Sequence, residues 1–205
     1  MDRADTVVVL DFETTGLSPQ QGDRAIEIGA VRIEQGQITA RFQELMNPGR
    51  RINGFIENYT GITNQMLAQA RPCAEVMEAF ADFLGSFDLI AHNASFDRRF
   101  LEAELHRLKR PVLGRFGCSM LLARRIYPEA PNHRLSGLVA YKQLPNNGVF
   151  HRAQADAEMT AHLWLGMLAD IRAGYPRCEL SFGLLQQLMR QPRSSVRRFL
   201  ERYSA

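Results

Sequence analysis

The feature that most constrains the fold is an apolar run near the start of the chain that ends in two acidic side chains. Residues 6–10 are Thr-Val-Val-Val-Leu, and an uninterrupted β-branched apolar run is typical of a buried central strand. Asp11 and Glu13 follow at once, and because side chains alternate along a strand, both carboxylates lie on one face. Unpaired charge is costly at the end of a buried strand. The pair therefore predicts a position where a hard cation binds.

The elements that follow predict an α/β domain with a mixed sheet flanked by helices. Residues 25–34 are mostly apolar and residues 37–46 return after a turn, so the first three strands form an antiparallel meander. A short strand at residues 88–91 and a series of helices follow, which is typical of a mixed sheet. Residues 48–58 are predicted to be irregular. Helices are predicted at residues 74–85, 95–109, 118–127, 135–142 and 152–171, with a shorter one capped by Thr63.

Size and composition are those of one soluble globular domain. The chain has 205 residues, of which 45% are hydrophobic and 23% charged, and no apolar run approaches the length of a membrane span. The acidic segment from Met1 to Asp5 leads directly into a strand and is unlike a signal peptide. Cys73, Cys118 and Cys178 cannot all pair with one another and lack the spacing of a zinc site. We therefore expect a cytoplasmic protein with reduced, buried thiols and no membrane association.

Charge is divided unevenly along the chain. Residues 1–105 carry 9 basic and 16 acidic side chains, whereas residues 106–205 carry 16 basic and 6 acidic ones. An acidic half favours bound cations, and a basic half favours bound phosphates. The division indicates that the protein binds both.

Two later segments carry further carboxylate and imidazole groups. Asp97 lies in the first turn of a predicted helix, where a carboxylate can simply stabilise the helix dipole. His92 and Asn93 are expected to form hydrogen bonds at the preceding turn. Asp156 lies in a helix of small alanines that can approach the sheet closely, so its burial requires a cationic partner. His151 precedes Asp156 by five residues and either lies on the surface at the helix start or extends over the carboxylates.

Together these segments predict a site for two divalent cations. Carboxylates and one histidine, without cysteine, favour Mg²⁺ or Mn²⁺ over zinc. Two such ions can bind a phosphodiester, activate water and stabilise the leaving oxygen. A neutral histidine can accept the proton of that water near neutral pH. The groups concerned are Asp11, Glu13, Asp97, Asp156 and His151.

The turn after the first strand offers contacts for a nucleotide. Thr14, Thr15, Gly16 and Leu17 provide backbone N–H groups and one apolar side chain, which could hold a terminal sugar and contact a base. Phe96 could stack on a base or belong to the core. A simple turn after a strand explains the same residues, so both interpretations stay open at this point.

In this order the motifs resemble those of the DEDDh subgroup of DnaQ-like 3′→5′ exonucleases, within the RNase H-like superfamily. The resemblance covers residues 5–172 and includes the segments Asp11–Leu17, Glu27–Ala30, Thr60–Thr63, His92–Asp97 and His151–Ala157. It implies an RNase H-like fold with a five-stranded mixed sheet. It also implies metal ligands at Asp11, Glu13, Asp97 and Asp156, a general base at His151, and contacts to the terminal nucleotide from Thr14, Thr15, Leu17 and Phe96.

The resemblance implies a metal-dependent exonuclease that acts on the 3′ ends of single-stranded DNA or RNA and releases nucleoside 5′-monophosphates. It also implies a role in proofreading or repair, with a DNA polymerase or another replication or repair protein as partner. The alternative, from a different class of function, is a catalytically silent nucleic-acid-binding adaptor on the same fold.

The exonuclease domain is predicted at residues 1–175, followed by a C-terminal helical extension at residues 176–205. In the extension, Ser181 can cap one helix, and apolar residues at helical spacing predict a second helix near residues 196–203. This helix pair either packs on the core with its arginines in solvent or forms a basic surface for a partner or for nucleic acid. The arginines concerned are Arg193, Arg197, Arg198 and Arg202.

Overall fold

The computed structural model describes residues 2–145 and 151–204, so Met1 and residues 146–150 of the predicted exonuclease domain and Ala205 of the predicted extension lie outside the description. A six-stranded sheet has the order β4-β3-β2-β1-β5-β6. Its strands are β1 (Val7–Thr14), β2 (Ala25–Glu34), β3 (Gln37–Asn47), β4 (Arg71–Pro72), β5 (Asp88–Ala91) and β6 (Phe116–Cys118).

The sheet is mixed, as predicted. β1, β2 and β3 form the antiparallel meander, whereas β5 pairs in parallel with both β1 and β6. The predicted α/β fold is therefore confirmed, with six strands where the resemblance implied five. The short edge strand β4 adds to β3 through Met46–Arg71 and Asn47–Pro72 pairs. Two residues are too few to show an alternating pattern in the sequence.

Nine α-helices are assigned among the described residues: α1 (Gly54–Thr60), α2 (Asn64–Gln69), α3 (Cys73–Leu84), α4 (Ser95–Arg107), α5 (Ser119–Ile126), α6 (Leu135–Tyr141), α7 (Ala153–Gly174), α8 (Phe182–Arg190) and α9 (Val196–Arg202). The expectation that residues 48–58 are irregular is wrong, because α1 begins within them. The side chain of Asn53 accepts a hydrogen bond from the Ile56 N–H, and Gly61 ends the helix in the left-handed region at φ 71°. Within the described part of the chain, no helix is both long and apolar enough to span a membrane.

Side-chain alternation along β1 divides the core between the two faces of the sheet. Val8, Leu10 and Phe12 pack with α3 and α4 on one face. Val7 and Val9 pack with α5, α7 and α8 on the other. Asp11 and Glu13 follow Val9 at the same parity, so the carboxylates end the strand on the face that α7 covers.

The C-terminal helices share this core. Phe182, Leu185 and Phe199 are buried in the same apolar cluster as Val7 and Trp164. The Ala4 N–H donates to the Leu180 carbonyl at 3.1 Å, which ties the chain start to this region. Both helices predicted at residues 176–205 are present, and the Ser181 side chain caps α8 as predicted. The division of the chain at residue 176 stays a prediction. The three cysteines are buried and unpaired, as predicted.

Candidate active site

The end of β1 holds the first two carboxylates against its neighbouring strand. Asp11 pairs with Gly29 of β2, and Glu13 pairs with Glu27. The register shifts between Glu13 and Thr14, so the strand turns away just after the second carboxylate. Both side chains are partly exposed in a cleft at this end of the sheet.

Asp156 and His151 reach the same place from α7. Asp156 lies in the first turn of the helix and is buried, with 8% of its surface exposed. The His151 N–H donates to Asp156 Oδ2 at 2.9 Å, and His151 adopts a left-handed φ of 61°. Possible ligand atoms of Glu13, His151 and Asp156 all lie within 4.8 Å of one another. The structure thus brings the predicted histidine to the carboxylates rather than leaving it at a remote helix start.

Asp97 approaches from the opposite side, in the first turn of α4. Its Oδ1 accepts a hydrogen bond of 3.1 Å from the Phe12 N–H, which joins the helix to β1 between the two strand carboxylates. The side chain is 2% exposed and lines the same cleft as Asp11 and Glu13. Four carboxylates from three separate segments therefore surround one end of β1.

Burial and mutual repulsion disfavour the charged forms of these acids. Burial, followed by the charges of Asp97 and Asp156, raises the pKa of Asp11 well above its ordinary value. Burial and the Asp156 charge raise the pKa of Glu13 to about 8. Burial raises the pKa of Asp97 to about 7, although the hydrogen bond from the Phe12 N–H acts to lower it. Burial also raises the pKa of Asp156, opposed by the N–H of His151.

The donor set fits divalent cations. Among the described residues, no arginine or lysine forms an ion pair with Asp11, Glu13, Asp97 or Asp156. Carboxylate oxygens and an imidazole nitrogen, without a thiolate, are ligands that Mg²⁺ and Mn²⁺ accept. A cation bound there would offset the repulsion that raises these pKa values.

A buried glutamate fixes the start of α7. Glu27 has no exposed surface and accepts two hydrogen bonds from the Arg152 guanidinium, at 2.8 and 3.1 Å. It also accepts one from the Ala153 N–H at 3.0 Å and one from Gln43 Nε2 at 3.2 Å. The sequence motif contained Glu27, but its role was not predicted. Because Arg152 and Ala153 directly follow His151, this carboxylate positions the segment that carries the imidazole.

Gly29 allows the same helix to touch the strand. A Cβ atom added at Gly29 would lie 2.1 Å from the backbone nitrogen of Gln154. Ala153 and Ala157 on the helix are fully buried, as expected for a helix that approaches a sheet through small side chains. This close contact brings Asp156 to the level of Asp11, since Asp11 is the β1 partner of Gly29.

The cleft beside the carboxylates, called here the first cleft, has a volume of about 660 Å³. All four predicted nucleotide-contacting residues line it: Thr14, Thr15, Leu17 and Phe96. The threonine hydroxyls donate to groups between β1 and β2: Thr14 donates to the Gly16 carbonyl at 2.6 Å, and Thr15 donates to Asp23 Oδ1 at 3.2 Å. Leu17 is 77% exposed at the rim. The turn is therefore held internally and presents an apolar side chain to the cleft.

Sequence reasoning missed two aromatic residues of this cleft. Phe55 and Tyr59 of α1 are 71% and 49% exposed and lie on one helix face. Their rings stack at 5.8 Å, and the Tyr59 ring lies 4.0 Å from the His151 imidazole between centroids. The available signal was an asparagine cap at Asn53 followed by aromatic residues at i, i+4 spacing.

These features coincide with a known sequence family. The exonuclease family RNase_T matches residues 8–164, a range that contains every carboxylate of the site and His151. The chain belongs to this exonuclease family. The exonuclease family predicted from the motifs is thereby confirmed.

Curated relatives of this exonuclease-family chain are much longer proteins. The 3′-5′ exonuclease DinG of Bacillus subtilis (strain 168) is 38% identical over 187 residues, which cover 89% of this chain and 19% of DinG. DNA polymerase III PolC-type of the same strain is 40% identical over 172 residues, which cover 81% of this chain and 12% of the polymerase. The chain thus spans less than a fifth of either relative.

Solved structures support the same fold. Exonuclease X, in complex with 5′ overhanging duplex DNA, has a TM-score of 0.65 and 29% identity, covering 80% of this chain and 91% of that one. The nuclease domain of 3′hExo, described as a DEDDh family member bound to rAMP, has a TM-score of 0.70 and 20% identity. The match covers 81% of this chain and 92% of that one. At 20% identity, the match to 3′hExo shows a similarity of fold only.

Proposed function

We propose that this exonuclease-family chain is a metal-dependent 3′→5′ exonuclease that hydrolyses single-stranded DNA, or RNA, and releases nucleoside 5′-monophosphates. The observation that carries the proposal is the convergence of Glu13, His151 and Asp156 within 4.8 Å beside a cleft with an apolar rim. Asp11 and Asp97 complete a group of acids that lack basic partners in the described part of the chain. A scaffold has no need for such a group, because it makes the fold less stable.

Asp11, Glu13, Asp97 and Asp156 would hold two divalent cations, Mg²⁺ or Mn²⁺. When bound, these cations supply charge neutralisation at the scissile phosphate and activation of water. Asp97 is held by the Phe12 N–H and Asp156 by the His151 N–H, so both carboxylates are oriented before any ligand arrives. Such preorganisation lowers the cost of binding the reacting groups.

His151 would act as the general base. Its side chain is exposed at the cleft, so it can reach a water molecule, accept its proton in the neutral form and pass the proton to solvent. The Tyr59 ring packs on the imidazole and restricts its orientation. Glu27 holds the backbone that follows His151 through Arg152 and Ala153.

The first cleft would bind the terminal nucleoside. Leu17, Phe55, Tyr59 and Phe96 present apolar surface on which a base and a sugar can pack. The turn at residues 14–17 lines this cleft, and we expect it to pack against the terminal nucleotide and to block onward passage of the strand. This arrangement favours exonuclease over endonuclease action.

The deciding experiment offers labelled DNA and RNA single strands, with Mg²⁺, Mn²⁺ or EDTA, and duplexes with matched or mispaired 3′ ends. Metal-dependent, stepwise release of 5′-monophosphates supports the proposal, and faster digestion of mispaired ends supports a proofreading or repair role beside a DNA polymerase. An Asp156→Ala variant serves as the inactive reference. Binding of single strands without cleavage under every metal condition would instead establish the silent adaptor.

A further inference from the structure

A second cleft adjoins two of the carboxylates. Its volume is about 590 Å³, and it shares Asp11, Tyr59, His92, His151 and Asp156 with the first cleft. Its remaining wall comes from a different part of the fold, namely Arg134 and the first residues of α6. Asp11 and Asp156 therefore lie between two adjoining clefts, whereas Glu13 and Asp97 line only the first.

The two clefts differ in chemical character. Tyr59 lines both clefts, whereas the exposed apolar side chains of Leu17 and Phe55 line only the first. The second contains Arg134, whose side chain is exposed and forms no ion pair with any residue of the described ranges. A guanidinium carries five N–H donors in a fork that matches phosphate geometry. The second cleft is thus suited to an anionic backbone and the first to an apolar base.

The backbone that carries Arg134 is fixed from both directions. The Nε2–H of His92 donates to the His133 carbonyl at 3.0 Å, and its Nδ1 lies 2.9 Å from the Ser119 hydroxyl. Burial lowers the pKa of His92 to about 4, so the ring is neutral and the Ser119 hydroxyl can donate to Nδ1. The Arg134 N–H donates to the Asn132 side chain at 3.0 Å. His92 therefore forms hydrogen bonds with Ser119 and with the loop before α6, and not at its own turn as predicted, where no described side chain caps α4.

Gly137 provides space for the hydrogen bond from the Arg134 N–H to the Asn132 side chain. A Cβ atom at Gly137 would lie 2.2 Å from the Asn132 side-chain oxygen that accepts the Arg134 N–H. The loop is thus built around Asn132 and holds the start of the Arg134 side chain at the cleft, while the guanidinium remains available.

From this arrangement we infer that Arg134 binds a backbone phosphate on the 5′ side of the scissile bond, and that the second cleft is the path of the incoming strand. The inference rests on the proposed exonuclease function. If the terminal nucleoside occupies the first cleft, the scissile phosphate lies over the carboxylates shared by both clefts. The nucleotides that precede it then have to leave through the second cleft, where Arg134 is the exposed cation.

This position predicts a dependence on substrate length. The p-nitrophenyl ester of thymidine 5′-monophosphate contains the terminal nucleoside and the scissile phosphate but no preceding phosphate. A longer single strand places further phosphates in the second cleft. Arg134→Ala should lower the ratio of kcat/KM on the long strand to kcat/KM on the ester by about tenfold, the scale of one charge-assisted hydrogen bond near solvent.

The salt dependence provides a second readout that a structural role of Arg134 does not change. A plot of log kcat/KM on the long strand against log salt concentration should become less steep by about 0.7, the contribution of one phosphate contact on a single strand. Arg134→Lys keeps the charge and should retain most of the slope.

Arg177→Ala is the matched control, because it removes one exposed arginine without an ion pair in the described part of the chain. Arg177 follows the C-terminal end of the 22-residue α7, a helix about 33 Å long whose other end carries the site. This variant should leave both the ratio and the slope as in the unchanged protein.

Equal losses on ester and strand in Arg134→Ala would overturn the inference, since they would place Arg134 in the chemical step or in folding. A ratio no lower than that of Arg177→Ala would overturn it as well. Failure of the unchanged protein to cleave either substrate with Mg²⁺ or Mn²⁺ would instead refute the proposed function.

Discussion

Replacing Gly29 by alanine is expected to move the helix that carries Asp156 and His151 away from the strand that carries Asp11. The added Cβ would lie 2.1 Å from Gln154 N and 2.2 Å from Ala153 C, both backbone atoms that no side-chain rotation can displace. Ordinary contact begins near 3.4 Å, so the start of α7 has to retreat by about 1.3 Å. Steric overlap, and not backbone conformation, opposes the alanine side chain, because Gly29 does not adopt a positive φ.

The magnitude follows from this displacement. Overpacking of a well-filled contact costs about 1–3 kcal/mol of unfolding free energy. A misplacement of about 1 Å between reacting groups can cost about 10²-fold in rate. The retreat also strains the hydrogen bonds from Arg152 and Ala153 to Glu27, which hold the same segment. We therefore expect Gly29→Ala to remain folded but to lose about 10²-fold or more in the single-turnover rate.

The assay combines denaturant unfolding with single-turnover cleavage of a labelled single strand at saturating Mg²⁺. The matched control is Gly166→Ala in the same helix, where the one described atom that the added Cβ would meet belongs to the Leu144 side chain, at 3.9 Å. Alanine is favoured over glycine inside a helix, so this control should gain roughly 0.5–1 kcal/mol in stability and keep its rate. A folded Gly29→Ala protein that cleaves within a few fold of the unchanged one would refute the positioning role of this contact.

Four further predictions concern the carboxylates, the histidine and the substrate. Asp156→Ala should abolish Mg²⁺-dependent cleavage yet raise the stability of the metal-free protein, because a repelled, buried charge is removed. A cleavage assay tests the loss of activity, and circular dichroism with denaturant unfolding tests the gain in stability. Without metal, stability should fall as the pH rises from about 5 to 8: the pKa of Glu13 is about 8 and that of Asp97 about 7, above the unfolded values, so the folded state binds more protons in this window. Unfolding in EDTA at several pH values tests this, and a rise over the window would contradict it. His151→Ala should slow the single-turnover rate by about 10²–10⁴-fold while changing strand affinity far less, which parallel binding and rate measurements can separate. A circular single strand should resist digestion that degrades its linear form; efficient cutting of the circle would mean endonuclease action.

Several features of this protein follow from the sequence because their causes are local. Strand alternation alone places Asp11 and Glu13 on one face, and the structure shows both at the end of β1 beside α7. Thr63 and Ser181 cap the helices predicted after them, since a capping hydrogen bond spans only three residues. The small side chains at Ala153 and Ala157 indicated a close helix–sheet contact, which is present.

Other features were decided by the tertiary structure, because they depend on residues that are distant in the chain. The contact of Tyr59 with His151 requires α1 to lie across from the start of α7, and no local pattern specifies that distance. The role of Glu27 became apparent only when the β1–β2 pairing and the approach of α7 placed Arg152 on it. Arg134 resembled any other arginine of the basic half until the hydrogen bond from His92 to His133 brought its loop to the carboxylates. Sequence patterns determine the faces and ends of single elements, whereas the packing of separate elements determines which of those ends meet.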